Sequence, residues 1–212
     1  MSEEVKRSYS SPLREQGAAA TRLLVRDAGH RLFARDGFVA TSIKKIAVEA
    51  GVSERTVYTH YKNKVEIFQD ALNVAIAGDE EPVAMRDRPE FAAVLQASAA
   101  GRMIAEMVAR NGTVLKRAGA LIMAGIESSG ADADMRRISD EGEHAMRANC
   151  RALAEALVGT GEVREELDAD AVADVLVTML SPHVFQLLGW PADRYRDWLA
   201  GTLQQTLLSP GT

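Results

Sequence analysis

The chain is poor in cysteine, poor in aromatic side chains and without a long apolar run, and each shortage excludes something. Cys150 is the one cysteine among 212 residues, so an internal disulfide and a cysteine-based metal cluster are both excluded, as suits a reducing compartment. Aromatics make up 5%, and β-branched runs are rare while Ala, Leu, Val, Glu and Arg abound, which favours helices over strands. The composition predicts an all-α protein. Nowhere do about 18 apolar residues follow one another, and the opening stretch "MSEEVKRSYSSPLREQGAAA" lacks the apolar segment of a secretory signal. A cytoplasmic protein with no membrane partner is expected.

Signatures of catalysis are missing as well. His30, His60, His144 and His183 stand apart, with no two at the i, i+4 spacing of a helical metal site. "GIESSG" does not have the G-x-S-x-G spacing, and "GTGE" is not followed by the Lys-Ser/Thr of a phosphate-binding loop. No catalytic residue, metal ligand or cofactor is assigned, and the chain is not expected to be an enzyme. A helical small-molecule-binding enzyme and a nonspecific DNA-binding scaffold are the alternative functional classes; the first would need a convergent acid/base or metal cluster.

What is present is a core and an uneven charge. An apolar share of 47% over this length supports one large or two small domains. Residues 1–72 carry 12 Lys and Arg against 9 Asp and Glu, and the remainder 13 against 21, for a net −5. Attraction of phosphates depends on a local basic surface and not on the total, so the two parts are expected to have different partners.

Residues 1–20 are polar, without apolar periodicity and interrupted by Pro12, and are expected to be a mobile leader. From Arg22 to Asp36, Leu24, Val25, Ala28, Leu32 and Phe33 share one helical face, and Gly37 suits the residue that ends it. Thr41 and Ser42 are N-cap candidates for "IKKIAVEA", which Gly51 stops; Ser53 caps "ERTVYTHY", with Val57 and Tyr61 on the inner face. Asn63 and Glu66 resemble a capping box opening a fourth helix. "AGDEEPVAMRDRPE" breaks the periodicity and places a boundary near residue 78. The expected layout is a leader over 1–20, a DNA-binding domain over 21–77 and a second helical domain over 78–212. Its helices are predicted at 90–109, 113–127, 132–158, 168–188 and 191–208, with Pro182 kinking the fourth near Leu180 to Ser181.

Two short helices joined by a turn containing Gly, with small Ala47 at the crossing and Val57 ten residues on, have the pattern of a helix-turn-helix. Ser53, Glu54, Arg55, Thr56, Tyr58, Thr59 and His60 then form an outward set suited to a major groove. Arg55 can bind guanine bidentately, Thr56 and Thr59 can meet a base edge or a thymine methyl, and Tyr58, His60 and Lys64 can hold phosphates. Glu54 is either an acceptor for cytosine or a solvated acid. Ser42 and Lys44 start the second helix, where its positive end favours phosphate. Tyr61 is read either as core or as part of this surface.

"GHRLFARDGFVATSIKKIAVEAGVSERTVYTHYKNKVEIFQDAL" resembles the DNA-binding domain of the tetracycline-repressor (TetR) family of bacterial regulators over about residues 22–72. The features that carry the resemblance are "LFARDGF", Thr41 and Ser42 leading to Ile46 and Ala47, "AGVS", Thr56 with Tyr58, His60 with Tyr61, and Lys64. Arg55 departs from the small residue usual near that position. The resemblance implies an N-terminal three-helix DNA-binding domain joined by a fourth helix to a larger ligand-binding and dimerisation domain. It also implies a homodimer, most often a repressor, released from a double-stranded operator by a small-molecule effector.

In the second domain, Val172, Leu176, Met179 and Leu180, together with Trp198, Leu199, Leu203 and Leu207, form apolar stripes on the last helices. They are candidates for a dimer interface of four helices, the alternative being core packing within one chain. An effector pocket needs adaptable side chains and a few orienting groups. The candidates are Met103, Met107, Leu121, Met123 and Glu127, then His144, Met146, Arg147, Asn149, Cys150 and His183. Core filling is the other reading for the methionines, and for Cys150 a redox sensor stands against an inert buried thiol.

Overall fold

Residues 12–81 and 83–210 are described by the computed structural model, and among them every regular element is helical apart from one isolated backbone bridge between Val163 and Leu208. The chain divides into two compact units between Ala71 and Leu72.

The first unit is built from α1 (Pro12–Ala40), α2 (Ile43–Ala50), α3 (Glu54–His60) and the start of α4 (Lys64–Ala77). Gly37, at φ 78° and ψ 170°, interrupts α1 so that its last turn leaves the helix axis. The Ser42 hydroxyl accepts from the Lys45 amide at 3.2 Å and opens α2, while Gly51 at φ 69° closes it, a backbone region that only Gly enters without strain. Ser53 accepts from the Thr56 amide at 3.0 Å and opens α3. At α4, Asn63 accepts from the Glu66 amide at 2.9 Å and Glu66 reaches back to the Lys62 amide at 2.8 Å. The core joins Phe33, Phe38 and Phe68, with ring centroids 5.3 to 5.8 Å apart, to Val25, Ala28, Ile46, Ala47, Val57 and Ile67. Gly29 permits α1 and α4 to meet: a Cβ there would stand 2.6 Å from the Ile67 side chain.

The expected leader is helical from Pro12 onward. Pro is tolerated in a first turn, where its missing N–H would have no partner, and the Ala-rich run after it has high helix propensity. A missing apolar period signals a missing buried face and does not prevent a helix. Residues 1–11 lie outside the described residues.

The second unit contains the end of α4, a 3-10 turn (Met85–Asp87), α5 (Pro89–Leu95), α6 (Ala100–Ser128), α7 (Ala133–Gly159), α8 (Ala169–Met179), α9 (Pro182–Leu188) and α10 (Ala192–Leu207). α6 packs against α7, α9 and α10, and α7 against α8. Around Ile104, Leu153, Leu157, Leu176, Tyr195 and Leu199 lies one apolar core. The predicted helices 90–109 and 113–127 are redrawn: the break falls at residues 96–99, and α6 runs unbroken through Asn111 and Gly112. A single Gly costs a helix about 1 kcal/mol, which tertiary packing overrides, and Asn111 has a use there, donating to the Leu180 carbonyl at 3.3 Å. Pro182 does break the fourth predicted helix, into α8 and α9 bent by 45°. No single helix among the described residues is long and apolar enough to cross a membrane, and the bent pair turns Val172, Leu176 and Leu180 into the core.

Candidate nucleic-acid interface

Position on α2 and α3 follows from the caps just described. Val57 is fully buried on the inner side of α3, which leaves Ser53, Glu54, Arg55, Tyr58 and Thr59 exposed and Thr56 and His60 half-buried. Ser42 and Lys44 are exposed at the start of α2.

Most described cations of this unit already have acceptors. Arg22 pairs with Asp70 at 3.1 Å, Arg26 with Asp27 at 3.6 Å, Arg31 with Glu49 at 2.9 Å, Arg35 with Asp36 at 2.8 Å and Lys62 with Glu66 at 3.8 Å. Lys45 donates to the Ala40 carbonyl at 2.9 Å. Among the described side chains of the unit, Lys44 and Arg55 are the two Lys or Arg residues without a hydrogen bond or ion pair. Glu54, Tyr58 and His60 are likewise unbonded. Two cations left open, together with Tyr58 at 55% exposure, are donors able to meet phosphate oxygens or base edges.

Some candidates are occupied by the helix itself. Ser53 and Thr56 share a hydroxyl hydrogen bond of 2.8 Å, and Thr59 donates to the Arg55 carbonyl at 3.0 Å. Lys64 is engaged too. Its ammonium donates to the carbonyls of Phe38 at 2.7 Å and Thr41 at 2.8 Å and lies 4.0 Å from the Phe38 ring centroid, so it ties the start of α4 to the turn that presents Ser42. This anchoring role was invisible in the sequence, because its acceptors are backbone groups more than twenty positions away. Tyr61 resolves as core at 2% exposure. Its hydroxyl donates to Asp70 at 2.5 Å, and burial, then that hydrogen bond, push the phenol above its ordinary range.

The effector candidates do not converge. Met103 and Cys150 are buried in the core of the second unit, with Met107 and Met146 packed against it, while Glu127, His144, Arg147 and His183 are exposed. Met103 and Glu127 lie roughly 36 Å apart along α6 at 1.5 Å per residue, too far for one pocket that also holds Leu121 and Met123. Arg147 is paired with Glu143 at 2.8 Å, and half-buried Asn149 sits one residue before Cys150. An open cleft of about 680 Å³ beside the start of α7 is lined by Asp132, Arg136, Arg137, Asp140 and His144; His144 is its one member among the candidates. Burial pushes the Cys150 thiol up to about 11, which keeps it protonated and inert.

The proposed dimer stripe also needs correction. Val172, Leu176, Leu180, Leu199, Leu203 and Leu207 are at most 4% exposed within a single chain, because the same stripes close the unit's own core. Met179 and Trp198 are half-buried, and Leu187 nearby is 85% exposed.

The sequence profile described as "Bacterial regulatory proteins, tetR family" matches residues 25–71, the stretch that carries α2, α3 and their caps. YdeS of Bacillus subtilis (strain 168), described as an uncharacterized HTH-type transcriptional regulator, is 28% identical over 159 residues, 74% of each chain. The family match is thus confined to the DNA-binding segment, residues 25–71. Solved structures share the fold over most of the chain. A transcriptional regulator from Saccharomonospora viridis, solved in complex with choline, superposes with a TM-score of 0.70 at 19% identity, covering 90% of this chain and 99% of its own. SmeT, the repressor of the Stenotrophomonas maltophilia multidrug efflux pump SmeDEF, gives 0.62 at 18% identity over 92% and 93%. At such identities these two structures show the shared fold. The all-α class is thereby confirmed, and the TetR resemblance is supported over residues 25–71.

Proposed function

We propose that the chain is a cytoplasmic homodimeric repressor that binds a two-fold symmetric operator through α2 and α3 of each protomer. A small molecule held by the C-terminal unit releases it. The observation that carries the reading is the set of exposed, partnerless Lys44, Arg55 and Tyr58 on the two helices of the segment that matches the TetR profile. Arg55 donates to guanine, Lys44 and Ser42 to phosphate at the start of α2, and Tyr58 and His60 to flanking phosphates. Ser53, Thr56 and Thr59 contribute hydroxyl oxygens, the two threonines also methyl groups, and Glu54 faces cytosine.

Dimerisation is supported by the need for two recognition helices to read two half-sites. Its contact surface in this reading is the accessible apolar set of Met179, Leu187 and Trp198, not the buried residues beside them. Repression is supported by SmeT, and control by a small molecule by the choline-bound relative; the ligand acts through unequal affinity for the DNA-bound and released states.

Selection of bound duplexes from a random pool at roughly 150 mM salt, where phosphate attraction alone is suppressed, tests the reading. A two-fold symmetric motif is expected. Recovery of no motif by folded dimer defeats it.

A further inference from the structure

The bend between α8 and α9 is held by side chains from two other helices. Pro182 has no N–H and cannot continue α8. The Ser181 hydroxyl accepts from the His183 amide at 3.2 Å, and α9 starts afresh at 45° to α8. In a continuous helix the amides of His183 and Val184 would return to the carbonyls of Met179 and Leu180. Substitutes come from elsewhere: the Tyr195 hydroxyl, on α10, donates to the Met179 carbonyl at 3.1 Å, and Asn111, on α6, donates to the Leu180 carbonyl at 3.3 Å.

Tyr195 spans the bend. Its hydroxyl meets the last residue of α8, while its ring packs edge-on against Phe185 of α9 with centroids 4.9 Å apart, in a residue 1% exposed. Backbone carbonyls removed from water need donors, and a donor fixed on another helix reaches its carbonyl in one arrangement of the two. Pro182 makes the break; the two donors give it a direction.

That direction decides where Leu187 goes. Leu176 and Leu180 lie on the buried face of α8. In an unbroken helix Leu187, seven residues after Leu180, would point within about 20° of it and continue the same stripe. Beyond the bend it is 85% exposed. A side chain in register for the core is thus turned to the surface. The segment around it is also uncharged: residues 175–192 contain no Asp, Glu, Lys or Arg, although these make up 26% of the chain. A two-fold contact lays a surface against itself, and a surface without formal charge does so without repulsion.

We infer that Asn111 and Tyr195 are positioning residues for the contact between two copies of this chain, bracing the bend so that Leu187 faces the second copy and not its own core. The inference rests on the dimer reading above and adds two residues, neither of them in the contact set, that hold that set in place from behind.

Subunit exchange between two fluorescently labelled pools of the full chain reports dissociation however tight the dimer. Leu187→Ser is expected to speed exchange about tenfold or more. Tyr195→Phe, which removes one oxygen, and Asn111→Leu, which keeps the bulk and loses the donor, are each expected to speed it about fivefold. Because the brace acts through Leu187, Tyr195→Phe combined with Leu187→Ser should exchange no faster than Leu187→Ser alone. A hydroxyl that only stabilised the unit would lower the melting temperature and leave exchange unmoved. Tyr195→Phe carries the comparison if Asn111→Leu does not fold. Unchanged exchange in Tyr195→Phe or in folded Asn111→Leu, or a double variant faster than Leu187→Ser, overturns the bracing role and leaves the dimer standing. Unchanged exchange in Leu187→Ser does the same by removing that side chain from the contact. A wild-type chain that sediments as a monomer at every concentration overturns the dimer reading and the inference together, and leaves the surface to a different partner.

Discussion

The two units differ in which of their salt bridges join helices: in the first unit two of them do, whereas in the second most run along a single helix. In the DNA-reading unit polar contacts join different helices: Arg22 and Tyr61 meet on Asp70, Arg31 reaches Glu49, and Lys64 holds the turn between α1 and α2. In the C-terminal unit, Arg102 with Glu106, Arg137 with Glu141, Arg147 with Glu143 and Arg151 with Glu155 run along one helix, while Arg151 with Asp170, Asn111 with the Leu180 carbonyl and Gln204 with the Gly101 carbonyl tie helices together around a large apolar core. Directed bonds between helices hold a recognition surface in one geometry. Apolar packing is less directional, and it would suit the ligand-responsive unit proposed above.

The strongest way to break this contrast is at the cores, where both units rely on burial. Phe68→Ala removes a ring from the Phe33, Phe38 and Phe68 cluster and is expected to cost about 3–5 kcal/mol in denaturant unfolding. A loss below about 1 kcal/mol would mean that the first unit is held by its polar ties instead. Arg55→Ala comes next. It is expected to relax preference at one base pair by about 1–3 kcal/mol, while Lys44→Ala weakens binding to every duplex and reduces the salt slope by about one. Equal effects of the two substitutions on all sequences would remove base reading from Arg55.

Tyr61→Phe deletes one inter-helix tie and leaves the Asp70 acceptor short of a donor. A loss of about 1–2 kcal/mol is expected, against about 0.3–0.5 kcal/mol or less for Glu143→Ala, which removes an exposed pair within α7. A pH effect is also expected. Hydrogen bonds from Arg88, then from the Glu81 amide, lower the Asp79 carboxyl to about 2. A depressed folded value means that its contribution is complete above the ordinary carboxylate range, declines as pH falls from near 4, and is gone below about 2. The melting temperature of the wild-type chain should therefore converge on that of Asp79→Asn across this window; parallel curves would show that the pairing adds no stability.

Local features were legible in the sequence, and distant ones were not. Ser42, Gly51, Ser53 and Asn63 act within a few residues of themselves, so their caps could be read directly, as could the break at Pro182. α6 could not, because whether Asn111 and Gly112 end a helix depends on what packs beside them. Nor could the stripe of Val172, Leu176 and Leu199: an apolar face predicts burial without saying whether the cover belongs to the same chain. Lys64 and Asn111 were hidden for a related reason. Their acceptors are carbonyls, which every residue has, and no side-chain pattern announces them.

The division of the chain within α4, not in a loop, has a consequence for anyone who would join this DNA-binding unit to another sensor. A graft across a loop tolerates added or missing residues, but a graft across a helix must keep its phase. One residue inserted near Ala71 would turn everything beyond it by about 100° relative to what precedes it and advance it about 1.5 Å. Working chimeras should therefore recur at insertions that approach whole turns and fail between them.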